Sequence, residues 1–75
     1  MATVTIDNRG LQPPEPMVRI LSGLDGMGES DEMVALMDRE PIMLYPQLER
    51  RGWSWDIEES QGDGCYRLTI RRAEG

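Results

Sequence analysis

Asp7-Asn8-Arg9-Gly10-Leu11-Gln12-Pro13-Pro14-Glu15-Pro16 is the stretch whose reading decides the fold. It reads as the end of a strand, a tight turn at Gly10 and a proline-rich approach to a helix. Upstream, Val4 and Ile6 alternate with Thr3 and Thr5, the pattern of a short half-buried strand. Downstream, Met17, Ile20, Leu21 and Leu24 keep the i, i+3, i+4, i+7 spacing of one buried helical face. Pro14 or Pro16 fits the first helical turn, where a missing N–H costs nothing. The helix is expected to run to about Leu24 and to dissolve in Asp25-Gly26-Met27-Gly28, with Gly23 and Gly26 weakening its last turn.

Farther along, Asp31 to Met37 is expected to form a second strand. Val34 and Leu36 are apolar on one face and Met33, Ala35 and Met37 on the other, which marks a central strand. Asp38-Arg39-Glu40-Pro41 then opens a second helix, with Asp38 or Glu40 placed to cap it and Pro41 near its first turn. Pro46 cannot donate an interior helical hydrogen bond. The spacing therefore predicts a distorted turn at 41–44 and a short helix from about Tyr45 to Arg51, stopped by Gly52. Pro41, Leu44, Tyr45 and Leu48 share its face. Trp53, Trp55 and Ile57 alternate with Ser54, Asp56 and Glu58 as a third strand. Gly62-Asp63-Gly64 lies in a hairpin turn, and Tyr66, Leu68 and Ile70 point inward from a fourth strand. Arg71 to Gly75 is expected to fray, with 72–75 a flexible tail. The order β-α-β-α-β-β, with right-handed crossovers, puts both helices on one face of one sheet. The result is a two-layer α/β sandwich, a single domain over residues 1–75, with the other sheet face open.

Composition narrows the function. The 8 basic residues, all arginine, stand against 14 acidic ones for a net charge of -6, which opposes nucleic acid and anionic membranes as partners. Without lysine there is no Schiff base; without histidine there is no Ser-His or Cys-His pair. A single cysteine allows neither an internal disulfide nor a cysteine-rich zinc site. The opening residues have no basic n-region with a long apolar run, and no stretch approaches a membrane-spanning length. A cytoplasmic protein without cofactor or metal, and not an enzyme, is the expectation.

The Asp7 to Pro16 stretch resembles the signature of the TusA-like, or SirA-like, sulfur-carrier superfamily, in which D-x-R/G-G-L-x-C-P-x-P opens the first helix. The likeness runs from about Val4 to Arg72. It implies the same sandwich, with a mixed four-stranded sheet in which strand four lies between strands two and three. In carriers, a cysteine at the helix N-terminus is made nucleophilic by the helix dipole, and its persulfide passes sulfur onward. Pro14 and Pro16 match the two prolines of C-P-x-P, and Glu15 matches the variable position between them. Pro13 stands where the carrier cysteine would be, so the sulfur role does not carry over through this motif. Asp38-Arg39-Glu40-Pro41, Leu44-Tyr45-Pro46 and Gly52-Trp53-Ser54-Trp55 look like a cysteine-less bacterial branch of uncharacterised function. The resemblance places members of that branch alone or beside hemerythrin-like domains.

Parallel first and second strands would set their carboxyl-end loops side by side, bringing Arg9 and Arg39 to an edge with two helix N-termini. Such an edge attracts small anions or an acidic partner segment. The other reading pairs Arg9 and Arg39 with Asp7, Asp38, Glu15 or Glu40 to order the loops. The candidate binding residues are Arg9, Gly10, Pro13, Pro14, Glu15, Pro16, Arg39 and Glu40. Cys65 is expected as an incidental strand cysteine, Trp53 and Trp55 as core, and the methionines as core filling, with Met33 and Met37 as a sticky cover on the open sheet face the alternative. The expected function is a non-catalytic protein-interaction or regulatory module acting as a monomer or weak homodimer. A small-anion or metabolite sensor is the alternative, and sulfur transfer is a third reading.

Overall fold

The computed structural model describes residues 2–60, 62 and 64–73. Strand β1 (Thr3–Asp7) leads to helix α1 (Glu15–Asp25), then β2 (Glu32–Met37). A 3-10 turn (Ile42–Leu44) runs into α2 (Tyr45–Arg50), followed by β3 (Trp53–Glu59) and β4 (Tyr66–Arg72). The distorted turn forced by Pro46 and the short helix after it are both present. The sheet order is β1-β2-β4-β3, with β1 and β2 parallel and the other pairs antiparallel. This is the mixed four-stranded sheet of a two-layer α/β sandwich, with β4 between β2 and β3.

Each element follows from its apolar pattern. Ile20 and Leu24 of α1, with Leu44 and Leu48 of the second helical segment, are buried against Met33, Ala35, Leu68 and Ile70 of the two central strands. Gly52, at φ 83°, takes the left-handed turn that lets the chain leave α2 for β3. Trp53 is buried, and Trp55 stacks on Tyr45 with ring centroids 5.1 Å apart and planes 13° from parallel. Both indoles therefore serve packing.

Of the two readings of Met33 and Met37, core filling holds and the cover on the open sheet face does not, because β2 turns Met33, Ala35 and Met37 toward the helices. Three expectations need correction. Arg71 and Arg72 are not tail: both belong to β4, where Arg71 pairs with Asp56 at 3.1 Å and Arg72 lies 4.6 Å over the Trp53 ring. Neither Asp38 nor Glu40 caps the second helical segment; Asp38 accepts from the Gly10 N–H and Glu40 from the Tyr45 hydroxyl. Burial and the Glu40 bond push the Tyr45 hydroxyl up to about 12. Asp31 precedes β2 and instead accepts from the N–H groups of Gly28 and Ala2, which holds its carboxyl below the usual range. Of the expected turn, Asp63 lies outside the described residues, as do Gln61 and the final Glu74-Gly75; the hairpin closes through Ser60 N–H to the Cys65 carbonyl at 2.8 Å.

Gly23 marks the closest approach of α1 to the sheet. A Cβ there would stand 2.7 Å from the Met33 Cε and 3.4 Å from the Ile6 Cδ1. Gly23→Ala gains helix propensity and displaces one flexible methyl, so its expected stability change is below about 1 kcal/mol. Gly23→Val cannot be absorbed in the same way and is expected to cost roughly 1–3 kcal/mol in urea unfolding.

A candidate binding groove at the carboxyl ends of β1 and β2

The loops after β1 and β2 meet at one edge. Asn8 N–H donates to the Leu36 carbonyl at 2.8 Å, extending the parallel ladder by one residue. Gly10, at φ 80°, then turns the chain back, and its N–H donates to the Asp38 carboxylate, joining the two loops. The Pro13–Pro14 peptide is cis, Pro14 stands at the N-cap of α1 and Pro16 lies in its first turn.

Between these loops, α1 and the 3-10 turn lies a groove of about 450 Å3. Its wall is built from prolines (Pro13, Pro14, Pro16, Pro41), methionines (Met17, Met37, Met43) and leucines (Leu11, Leu44). Polar character comes from Asn8, Asp38, Arg39 and Glu40. An apolar concavity with a few polar groups of this size is the ordinary form of a ligand site. Of the residues proposed from sequence, Pro13, Pro14, Pro16, Arg39 and Glu40 line the groove, whereas Arg9, Gly10 and Glu15 do not.

Arg9 is otherwise engaged. Its Nε and Nη2 each donate to the Asp7 carboxylate at 2.9 Å, and its backbone N–H donates to the same group at 3.1 Å. These bonds lower the Asp7 carboxyl from 3.8 to about 2 and raise the Arg9 guanidinium. The pair thus follows the loop-ordering reading. Because the folded value lies below the ordinary one, the Asp7 contribution to stability is present above pH 3.8 and is lost as pH falls through about 2. Arg9→Ala is expected to return the Asp7 titration, followed by NMR of its side-chain carbon, toward 3.8. Arg39 has no ion pair among the described residues and remains on the groove wall.

The helix N-terminus at this edge is poor in donors. Of the first four backbone positions of α1, Pro14 and Pro16 have no N–H, and the Glu15 N–H already donates to the Gln12 carbonyl at 3.0 Å. Only the Met17 N–H is left, so the geometry that normally attracts anions is largely dismantled.

Asn8 is the residue that the sequence reading missed. It is 1% exposed, and its Nδ2 donates to the Pro16 carbonyl at 3.2 Å and to the Met37 Sδ at 3.5 Å. Its Oδ1 has no hydrogen-bond partner among the described residues, an omission that costs about 1–3 kcal/mol. The signal was legible: Asn8 continues the buried face of Val4 and Ile6 with a polar side chain.

Cys65 is free and buried just ahead of β4, and it does not line the groove. A second hollow, of about 330 Å3, lies between Leu24, Asp25, Met27, Arg51, Trp53 and Arg72. Its cations are already in use, Arg72 over Trp53 and Arg51 with Asp25 at 3.8 Å. Among the described residues no three of Cys, Asp or Glu gather as a metal site, and no helix is long and apolar enough to cross a membrane.

Comparison with known proteins agrees with the fold. The crystal structure of the SirA-like protein from Desulfitobacterium hafniense superposes with a TM-score of 0.79 at 26% identity, covering 99% of this chain and 100% of that one. No curated protein matches the chain. The resemblance carried by Asp7 to Pro16 thus extends to the whole architecture. The family described as an uncharacterized conserved protein (DUF2249) matches residues 5–72, and the chain belongs to that family.

Proposed function

We propose that this domain is a non-catalytic protein-interaction module that receives a partner segment in the groove between the first two strand ends. The observation that supports this reading is the groove itself, about 450 Å3 and walled mostly by apolar side chains. Ile42 and Met43 beside it are 65% and 78% exposed, apolar surface of the kind a partner covers. Sulfur transfer has no support at this edge, since Pro13 offers no nucleophile. The small-anion reading is weakened by the engagement of Arg9 with Asp7 and by the missing proline N–H groups.

Photo-crosslinking in the native cells tests the proposal. A benzophenone side chain at position 43 is expected to give one dominant protein adduct that is lost in a Leu11→Asp variant. The same group at position 56, on the exposed sheet face, is expected to give none. Equal adducts from both positions, or none from position 43, would contradict the proposal.

A further inference from the structure

We infer that the Met43 thioether is a modification site, oxidised to the sulfoxide by a neutral peroxide. The added oxygen closes the groove to an apolar partner segment. This deepens the partner-binding reading above and rests on it. Met17, Met37 and Met43 all stand on the groove wall, but their sulfurs differ in access. Met43, on the 3-10 turn, is 78% exposed, whereas Met37 is 6% exposed and Met17 is half-buried. Away from the groove, Met33 is fully buried, Met27 is half-buried and the free thiol of Cys65 is 8% exposed. Among the described residues, an oxidant arriving from solvent therefore meets the Met43 sulfur first.

Charge selects the oxidant class. A net charge of -6 repels anionic oxidants and leaves the approach of hydrogen peroxide unopposed. The sulfur lone pair attacks one peroxide oxygen, and the S–O bond forms as the O–O bond breaks. The departing hydroxide takes the remaining proton and leaves as water; sulfur is oxidised and the peroxide reduced. A flexible apolar side chain becomes a polar one with a strong acceptor oxygen. A partner segment laid on a wall of prolines, leucines and methionines would have to bury that oxygen. An acceptor buried without a donor is unfavourable, so docking weakens.

Peptide mapping and crosslinking of the full chain test the two steps. Protein carrying benzophenone at position 42, beside the groove, is treated with hydrogen peroxide, freed of it and irradiated in extract of the native cells. Sulfoxide is expected to form at Met43 about tenfold faster than at Met33 or Met37. The dominant adduct is expected to fall about tenfold once Met43 is oxidised, and to return after treatment with methionine sulfoxide reductases. In Met43→Leu, measured against its own untreated yield, peroxide should change nothing. Oxidation of Met37 or Cys65 as fast as Met43 would overturn the assignment of the site. An undiminished adduct with Met43 fully oxidised, or an equal fall in Met43→Leu, would overturn the closure and leave the partner-binding reading standing. No adduct from the untreated protein would contradict that reading and this inference with it.

Discussion

Asn8→Asp is expected to remove most of the stability of the fold at neutral pH while changing hardly any volume. The carboxylate would lose the amide donor that meets the Pro16 carbonyl and the Met37 sulfur, and would stand charged in a position that is 1% exposed. An uncompensated buried charge costs about 3–5 kcal/mol. A chain of 75 residues holds only roughly 4–11 kcal/mol in total. The sign of the pH dependence follows. Burial raises the folded-state value of the new carboxyl above its unfolded value of about 3.9, so the penalty grows as pH rises past that point and fades below it. Urea unfolding of the variant and the unaltered protein at pH 3.5 and 7 reads the difference directly. Asn8→Leu, with the same branching and no unmet polar atom of its own, is expected to cost less than the aspartate at pH 7. A small, pH-independent loss for Asn8→Asp would show that the side chain is not confined as described.

Leu68→Ala is the second large effect. Leu68 is fully buried on β4, paired with Ala35 of β2 on one side and Ile57 of β3 on the other. Truncating it leaves a cavity where both central strands meet the helices, at about 2–5 kcal/mol. Leu36→Ala, on the open face of the same sheet and only half-buried, is expected to cost under about 1.5 kcal/mol, by the apolar area it loses. Equal costs at the two positions would contradict a core on one side of the sheet.

Much of this architecture was legible in the residues, for identifiable reasons. Alternation at Thr3 to Ile6, Trp53 to Ile57 and Tyr66 to Ile70 fixes the strands because a period of two leaves little freedom. The two halves of the second helical segment were legible because Pro41 and Pro46 remove specific donors. Met33 and Met37 admit two readings, core or cover of the open face, because β2 is apolar on both faces, and such a pattern does not say which face meets the helices. Arg71 and Arg72 looked like tail because their partners, Asp56 and Trp53, lie on the neighbouring strand rather than nearby in the chain.

The candidate site was half legible. The prolines, Arg39 and Glu40 come to the groove because parallel strands bring their carboxyl ends together. Arg9 left the set because Asp7, two residues earlier, holds it in a bidentate pair. Three methionines of the groove wall, Met17, Met37 and Met43, come from three separate elements, and no spacing in the sequence links them.

Those methionines provide the most direct test of the groove as the functional surface. With methionine methyl groups labelled with carbon-13, titration with the partner captured by the crosslink at position 43 is expected to move Met17, Met37 and Met43. Met27 and Met33, outside that groove, should stay in place. Shifts at Met27 and Met33 equal to those in the groove, or no shift at any methionine, would contradict it.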